Sequence, residues 1–241
     1  MRIFRLPFLL CCFFSASCAY QPVLSDSPPV SVEKRLSLAQ AHLLLGQVGM
    51  AKNQLDQIDE LDQGRDYWRL VSLYWLSSGE YEVAFSTHQN ALEKYPNDSF
   101  ILNNYGVLLG QQRNWTEACK VFLKASENAF IARQSVQINL SRCALRQNHV
   151  NLAETYLKQA KEIEDLPLIG LMTELNLVLI QGNIIEARTI LNNIQSGDGI
   201  TSGSVHFDEY NCLSWQLSAH ESDPTKYPST SIYTCLHGSR Y

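Results

Sequence analysis

Cysteine and histidine are the side chains here with the most chemistry to offer. The seven cysteines form two groups: Cys11, Cys12 and Cys18 near the start, and Cys119, Cys143, Cys212 and Cys235 much further along. Thiol–disulfide catalysis needs a low-pKa thiolate with a resolving partner, most simply as CxxC, and the chain has no CxxC. The six histidines, His42, His88, His149, His206, His220 and His237, lack metal-ligand spacing, and Cys212 with His220 is a poor zinc signature. GxSxG, HExxH, the P-loop and GxGxxG are all missing. No catalytic residue, metal or cofactor is therefore expected, and binding is left as the function to explain.

The N-terminal segment decides the compartment. Arg2 and Arg5 precede an apolar stretch at residues 6–14 that only Pro7 interrupts. It is too short for a bilayer, which needs roughly 20 apolar residues, and residues 1–17 read as a signal peptide. Ser15, Ala16 and Ser17 then lead into Cys18, which resembles a bacterial lipobox with Ser where Leu is usual. Acylation of Cys18 by more than one chain would anchor the protein stably, at about 0.8 kcal/mol per buried CH₂. Ordinary signal cleavage after Ala19 is the alternative. Residues 18–31, with Pro22, Pro28 and Pro29 among Ser and Asp, suit a flexible tether rather than a helix or a core.

Loss of residues 1–17 removes two Arg and no acid, taking the net charge from −5 to −7. With no Lys/Arg cluster, neither nucleic acid nor anionic lipid is an expected partner, and proteins are. In an oxidising compartment Cys119, Cys143, Cys212 and Cys235 allow two disulfides in three pairings, or could stay as buried thiols. Cys119 with Cys143 and Cys212 with Cys235 are the nearest in sequence.

The elements that position these residues come from a repeat. Ala51, Ala84, Ala118, Ala153 and Ala187 are spaced 33, 34, 35 and 34 residues apart. Five or six residues before each lies a turn residue: Gly46, Gly79, Arg113, Asn148 or Gly182. Gly and Asn tolerate the left-handed conformation that ends a helix. Residues 65–98, with Trp68, Gly79, Tyr81, Ala84, Ala91 and Pro96 in register, resemble the tetratricopeptide (TPR) consensus. Residues 32–64, 99–132, 134–167 and 168–201 follow it with fewer matches. The expected fold is an all-α TPR superhelical solenoid with five repeats over 32–201 and a degenerate sixth over 202–241. In that last stretch a helix from Phe207 to Ala219 is expected, and Pro224 and Pro228 break the pattern after it.

Residues 101–160 carry a narrower resemblance. The NNYG segment at 103–106 and Leu140-Ser141-Arg142-Cys143-Ala144 are similar to the type IV pilus biogenesis lipoproteins of the PilF/PilW family. The resemblance extends over about 32–195. It implies a non-catalytic pilotin-like factor for secretin localisation, multimerisation or pilus stability, lipid-anchored in the outer membrane and facing the periplasm. A pilus secretin or another envelope protein would be the partner, and the protein itself a monomer. Many members carry a cysteine near the position of Gly110 that could pair with the counterpart of Cys143; here the second cysteine is Cys119, on the following helix. An adaptor for a periplasmic protease or peptidoglycan enzyme is the competing function.

TPR proteins bind along the concave face formed by the first helix of each repeat. Helical periodicity places Arg69, Leu73, Leu76, Phe100, Asn103, Val107, Gln111, Ile138 and Arg142 there, beside Arg146. Apolar anchors mixed with hydrogen-bonding groups suit a peptide helix or an extended segment. Some of these residues could instead pack between hairpins. Trp68 and Trp115 are expected to be hairpin packing.

Overall fold

In the computed structural model the described residues are 30–128, 133–197, 200, 206–225 and 235. The expected signal peptide at 1–17, Cys18 and most of the expected tether lie outside them. The chain divides before Val32, and the second unit holds every described helix.

Five helical hairpins follow one another: α1 (Val32–Leu44) with α2 (Val48–Leu55), α3 (Arg65–Ser78) with α4 (Tyr81–Lys94), α5 (Ser99–Gln111) with α6 (Trp115–Ser126), α7 (Arg133–Arg146) with α8 (Val150–Lys161), and α9 (Leu168–Ile180) with α10 (Ile184–Ser196). The last helix among the described elements, α11 (Phe207–Ser222), packs on α9 and α10. The described structure is all-helical, and the repeat spacing makes it a TPR solenoid. No described helix is long and apolar enough to cross a membrane.

The period has a physical basis in two positions. Each second helix starts three residues before its repeat alanine, and all five alanines have no exposed surface. A side chain as small as a methyl lets the paired helices approach closely at that crossing. One turn further on, Leu55, Phe122, Leu157 and Leu191 fill the hairpin core, and His88 occupies the same position in the second repeat. The α5–α6 crossing is tighter still: a Cβ on Gly106 would lie 2.5 Å from the Phe122 ring.

The turns are built alike. Gly46, Gly79, Arg113, Asn148 and Gly182 all adopt φ between 62° and 77°. In four hairpins the next amide reaches back to a carbonyl five residues earlier, Gln47 to His42, Asn114 to Leu109, His149 to Ala144 and Asn183 to Val178, at 2.8–2.9 Å. This left-handed cap satisfies carbonyls that a helix end would otherwise orphan, and it reverses the chain within two residues.

Polar contacts join neighbouring repeats. Asp98 caps α5 by accepting from the amides of Phe100 and Ile101, and pairs with Arg69 of α3 at 2.7 Å. The Gln134 side-chain amide donates to the carbonyls of Ala160, Glu164 and Asp165, closing the end of α8. Both nearest-neighbour disulfides form: Cys119–Cys143 links α6 to α7, and Cys212–Cys235 ties residue 235 to α11.

Candidate functional site

The first helices of successive hairpins lie side by side, α1 on α3, α3 on α5 and α7 on α9. Between α5 and α7 a side-chain bond bridges the row, with Asn139 Nδ2 donating to Asn103 Oδ1 at 2.9 Å. A cavity of about 990 Å³ opens there. One side is α5 and α7, with Asn103, Val107, Gly110, Gln111, Ile138, Arg142 and Arg146. The start of α9 adds Pro167 and Ile169, and α11 supplies His206, Asp208, Glu209, Cys212 and Trp215.

Of the residues expected on the concave face, Asn103, Val107, Gln111, Ile138 and Arg142 meet in this cavity. The others do not. Leu76 is buried with Ala84 and Leu108, and Leu73 packs against the same group, so both serve the hairpin core. Phe100 packs into the core shared by α5, α6 and α7. Arg69 is held by Asp98 and Asp66. Each of these four lies earlier along the face; Leu76 is buried there, while Leu73, Phe100 and Arg69 are half-buried against their neighbours.

Arg142 is no open hydrogen-bonding group. It donates from Nη1 and Nη2 to the two carboxylate oxygens of Glu209, at 3.0 and 2.9 Å. Burial alone would raise the Glu209 carboxyl; the charge and hydrogen bonds of Arg142, helped by His206 and Arg146, hold it below its ordinary range. Burial also lowers His206, with Arg142 adding to the effect and Glu209 opposing it.

Arg146, one turn further along α7, sits differently. Its guanidinium carbon lies 3.5 Å from the centroid of the Trp115 ring. Gly110 makes room for that ring, since a Cβ there would stand 2.9 Å from the indole. Burial, reinforced by the like charge of Arg142 and only partly offset by Glu209, pushes the Arg146 pKa down to about 9. Its buried Nε has no hydrogen-bond partner.

Trp115 therefore lines the cavity as well as packing within its hairpin. Its role beneath Arg146, and the contribution of Glu209, His206 and Trp215 from α11, were not anticipated from the sequence. The Arg142–Glu209 pair spans 67 residues, a distance at which no local pattern reports pairing. Among the described residues no group of three or more Cys, His, Asp or Glu is placed to hold a metal.

Known structures share this architecture. The chain is similar to PilF of Pseudomonas aeruginosa, with a TM-score of 0.57 and 19% identity over 83% of this chain and 96% of that one. It is also similar to PilW, a widely conserved type IV pilus biogenesis factor, with a TM-score of 0.60 and 18% identity over 84% of this chain and 90% of that one. No protein-family model and no curated protein sequence matches the chain. At this identity the likeness speaks for the fold.

Proposed function

We propose that this chain is a non-catalytic, protein-binding TPR factor of type IV pilus biogenesis, acting as a pilotin-like partner of the pilus secretin. The observation that carries this is the likeness in fold to PilF and PilW along most of all three chains. The NNYG segment and Leu140–Ala144 support the same reading from the sequence. The cavity between α5, α7 and α11 gives it a binding surface of mixed apolar and polar lining, the kind that captures a peptide segment.

In this proposal Cys18 is acylated and holds the protein on the outer membrane, facing the periplasm. The solenoid works as a monomer, with the two disulfides keeping α6–α7 and the α11 end in register.

The experiment is a blot for heat- and detergent-resistant secretin multimers in a strain lacking the gene. Loss of the multimer with secretin monomer still present is expected. Intact multimers together with normal piliation would overturn the reading. The anchor has its own check: Cys18→Ala should abolish palmitate labelling and move the protein from the membrane to the soluble periplasmic fraction.

A further inference from the structure

The concave cavity holds more positive charge than its own carboxylates answer. Arg113, Arg142 and Arg146 line it against Asp208 and Glu209. Arg142 and Glu209 neutralise each other in a two-pronged pair. Among the described residues no ion pair joins Asp208 to Arg146. That leaves Arg146 as a largely desolvated cation whose close partner is the indole of Trp115. A ring face attracts a cation but does not neutralise it or accept its in-plane N–H donors. An arginine so placed has its fork of donors held in one plane by stacking, with Nε unsatisfied. The same cavity is lined by polar groups, Asn103 and Asn139, and by apolar ones, Val107, Ile138 and Trp215.

We infer that Arg146, stacked on Trp115, receives a carboxylate from a segment of a partner protein, with an adjacent apolar side chain of that segment lodging against Val107, Ile138 and Trp215. The inference rests on the concave cavity being the protein-binding surface. Charge complementarity selects the occupant: a carboxylate is planar, accepts two parallel N–H bonds and supplies the one charge the cavity lacks. An arriving carboxylate also relieves the cost of holding Arg146 charged beside Arg142, so it binds more tightly than a neutral amide of the same shape. Phosphate would compete for the same donors and is distinguished by the probe.

The test titrates the full chain with 3-phenylpropionate and with its neutral isostere 3-phenylpropionamide, following saturation-transfer NMR and tryptophan fluorescence. The acid should bind at least about tenfold tighter, equivalent to about 1.4 kcal/mol. Arg146→Gln should erase the preference, and Arg146→Lys, which keeps charge but loses the planar fork, should retain part of it. Equal affinities, no binding of either probe, or a preference that survives Arg146→Gln would each overturn the inference. So would inorganic phosphate displacing the acid at lower concentration than acetate. The acid–amide comparison on the unaltered chain needs no variant to fold, and melting curves check the variants. If the acid preference fails while deletion of the gene still removes the secretin multimer, only the carboxylate site falls. If the preference tracks Arg146 but pili form without the gene, the pilus reading falls and the site stands.

Discussion

Two arginines on the first helices show how differently one solenoid face is used along its length. Arg69 of α3 pairs with Asp98 in the next repeat, and Asp98 also accepts two backbone amides at the start of α5. Removing the arginine there leaves a carboxylate that still has partners and a helix end to stabilise. Arg142 of α7 pairs with Glu209 from α11, far along the chain, inside the wall of the cavity. Glu209 has no comparable backbone support among the hydrogen bonds described, so its charge depends on Arg142. One pair fastens neighbouring repeats; the other fastens the last helix over the concave face.

The largest expected effect follows from that contrast. Arg142→Ala strands a buried carboxylate and should cost about 3–5 kcal/mol of stability, whereas Arg69→Ala should cost about 1–2 kcal/mol. Urea denaturation of both variants checks the ranking, and equal losses would remove the distinction. The acid dependence has a definite sign. The folded Glu209 carboxyl lies below its ordinary value near 4.5, so the stability it contributes is present above that pH. It fades as pH falls through the lower folded value. In Arg142→Ala burial raises the carboxyl instead, so the variant should close part of its gap with the unaltered protein on acidification.

Next in size is the pair of close-packed glycines on α5. Gly106→Ala drives a methyl into the Phe122 ring within a fully buried crossing and should cost about 1–3 kcal/mol. Gly110→Ala meets the edge of Trp115, which borders the cavity and has somewhere to move. It should cost less, but tilt the indole away from Arg146 and lower the preference for 3-phenylpropionate. Calorimetry with probe titration on the same samples separates the two. A larger loss for Gly110→Ala would mean that Trp115 is as rigid as Phe122.

Much of the hairpin scaffold was legible because its determinants are local and recur. The five alanines picked out by spacing are fully buried at the crossings, and the five turn residues are the left-handed ones among the described residues. The site was legible only in part, because helical periodicity says which side of a helix faces the groove but not whether a neighbour covers it. Leu76 and Val107 share an expectation and part in the structure: Leu76 is enclosed by Ala84 and Leu108, while Val107 reaches the cavity. Helical periodicity set Arg142 on the side of α7 that lines the cavity, yet its partner Glu209 could be found only once α11 was folded back. Trp115 was read for its hairpin packing; the stacking on Arg146 depends on the geometry of two helices meeting at Gly110.

The turns offer a smaller test of how far the repeat rule reaches. Arg113 holds φ of 62° with a full side chain, where three of the other hairpins use glycine. The left-handed region costs an ordinary residue about 1 kcal/mol, so Arg113→Gly should stabilise the protein by up to that amount. Asn148→Gly should gain less, since asparagine tolerates this conformation. A loss of stability in Arg113→Gly, seen as a lower melting temperature, would mean that the arginine has a stabilising role that the turn geometry does not reveal.

An effect that is small at neutral pH and grows on acidification belongs to His88. It sits one turn after Ala84, where the other repeats place Leu55, Phe122, Leu157 and Leu191, and it is fully buried. Its Nδ1 lies 2.7 Å from the Ala84 carbonyl, the ring stacks on Tyr105, and Nε2 has no partner. Burial is the main cause that lowers its pKa from the ordinary 6.5, with the Ala84 carbonyl opposing. The folded state therefore holds the neutral ring, and the unfolded chain takes up a proton first as pH falls below about 6.5. Stability contributed by keeping this ring buried is complete above that pH and declines below it, until the folded ring itself titrates. His88→Leu supplies the side chain that this position carries in other repeats and removes an unsatisfied nitrogen. It should gain up to about 1 kcal/mol at pH 7.5, and the advantage should widen between pH 6.5 and 5. Melting temperatures of the two proteins across that range decide the matter. Parallel curves would show that His88 takes up its proton as readily in the folded protein as in the unfolded chain, so that burial does not lower its pKa, and a lower melting temperature for His88→Leu at every pH would show that the Ala84 hydrogen bond and the Tyr105 stack outweigh the orphaned nitrogen.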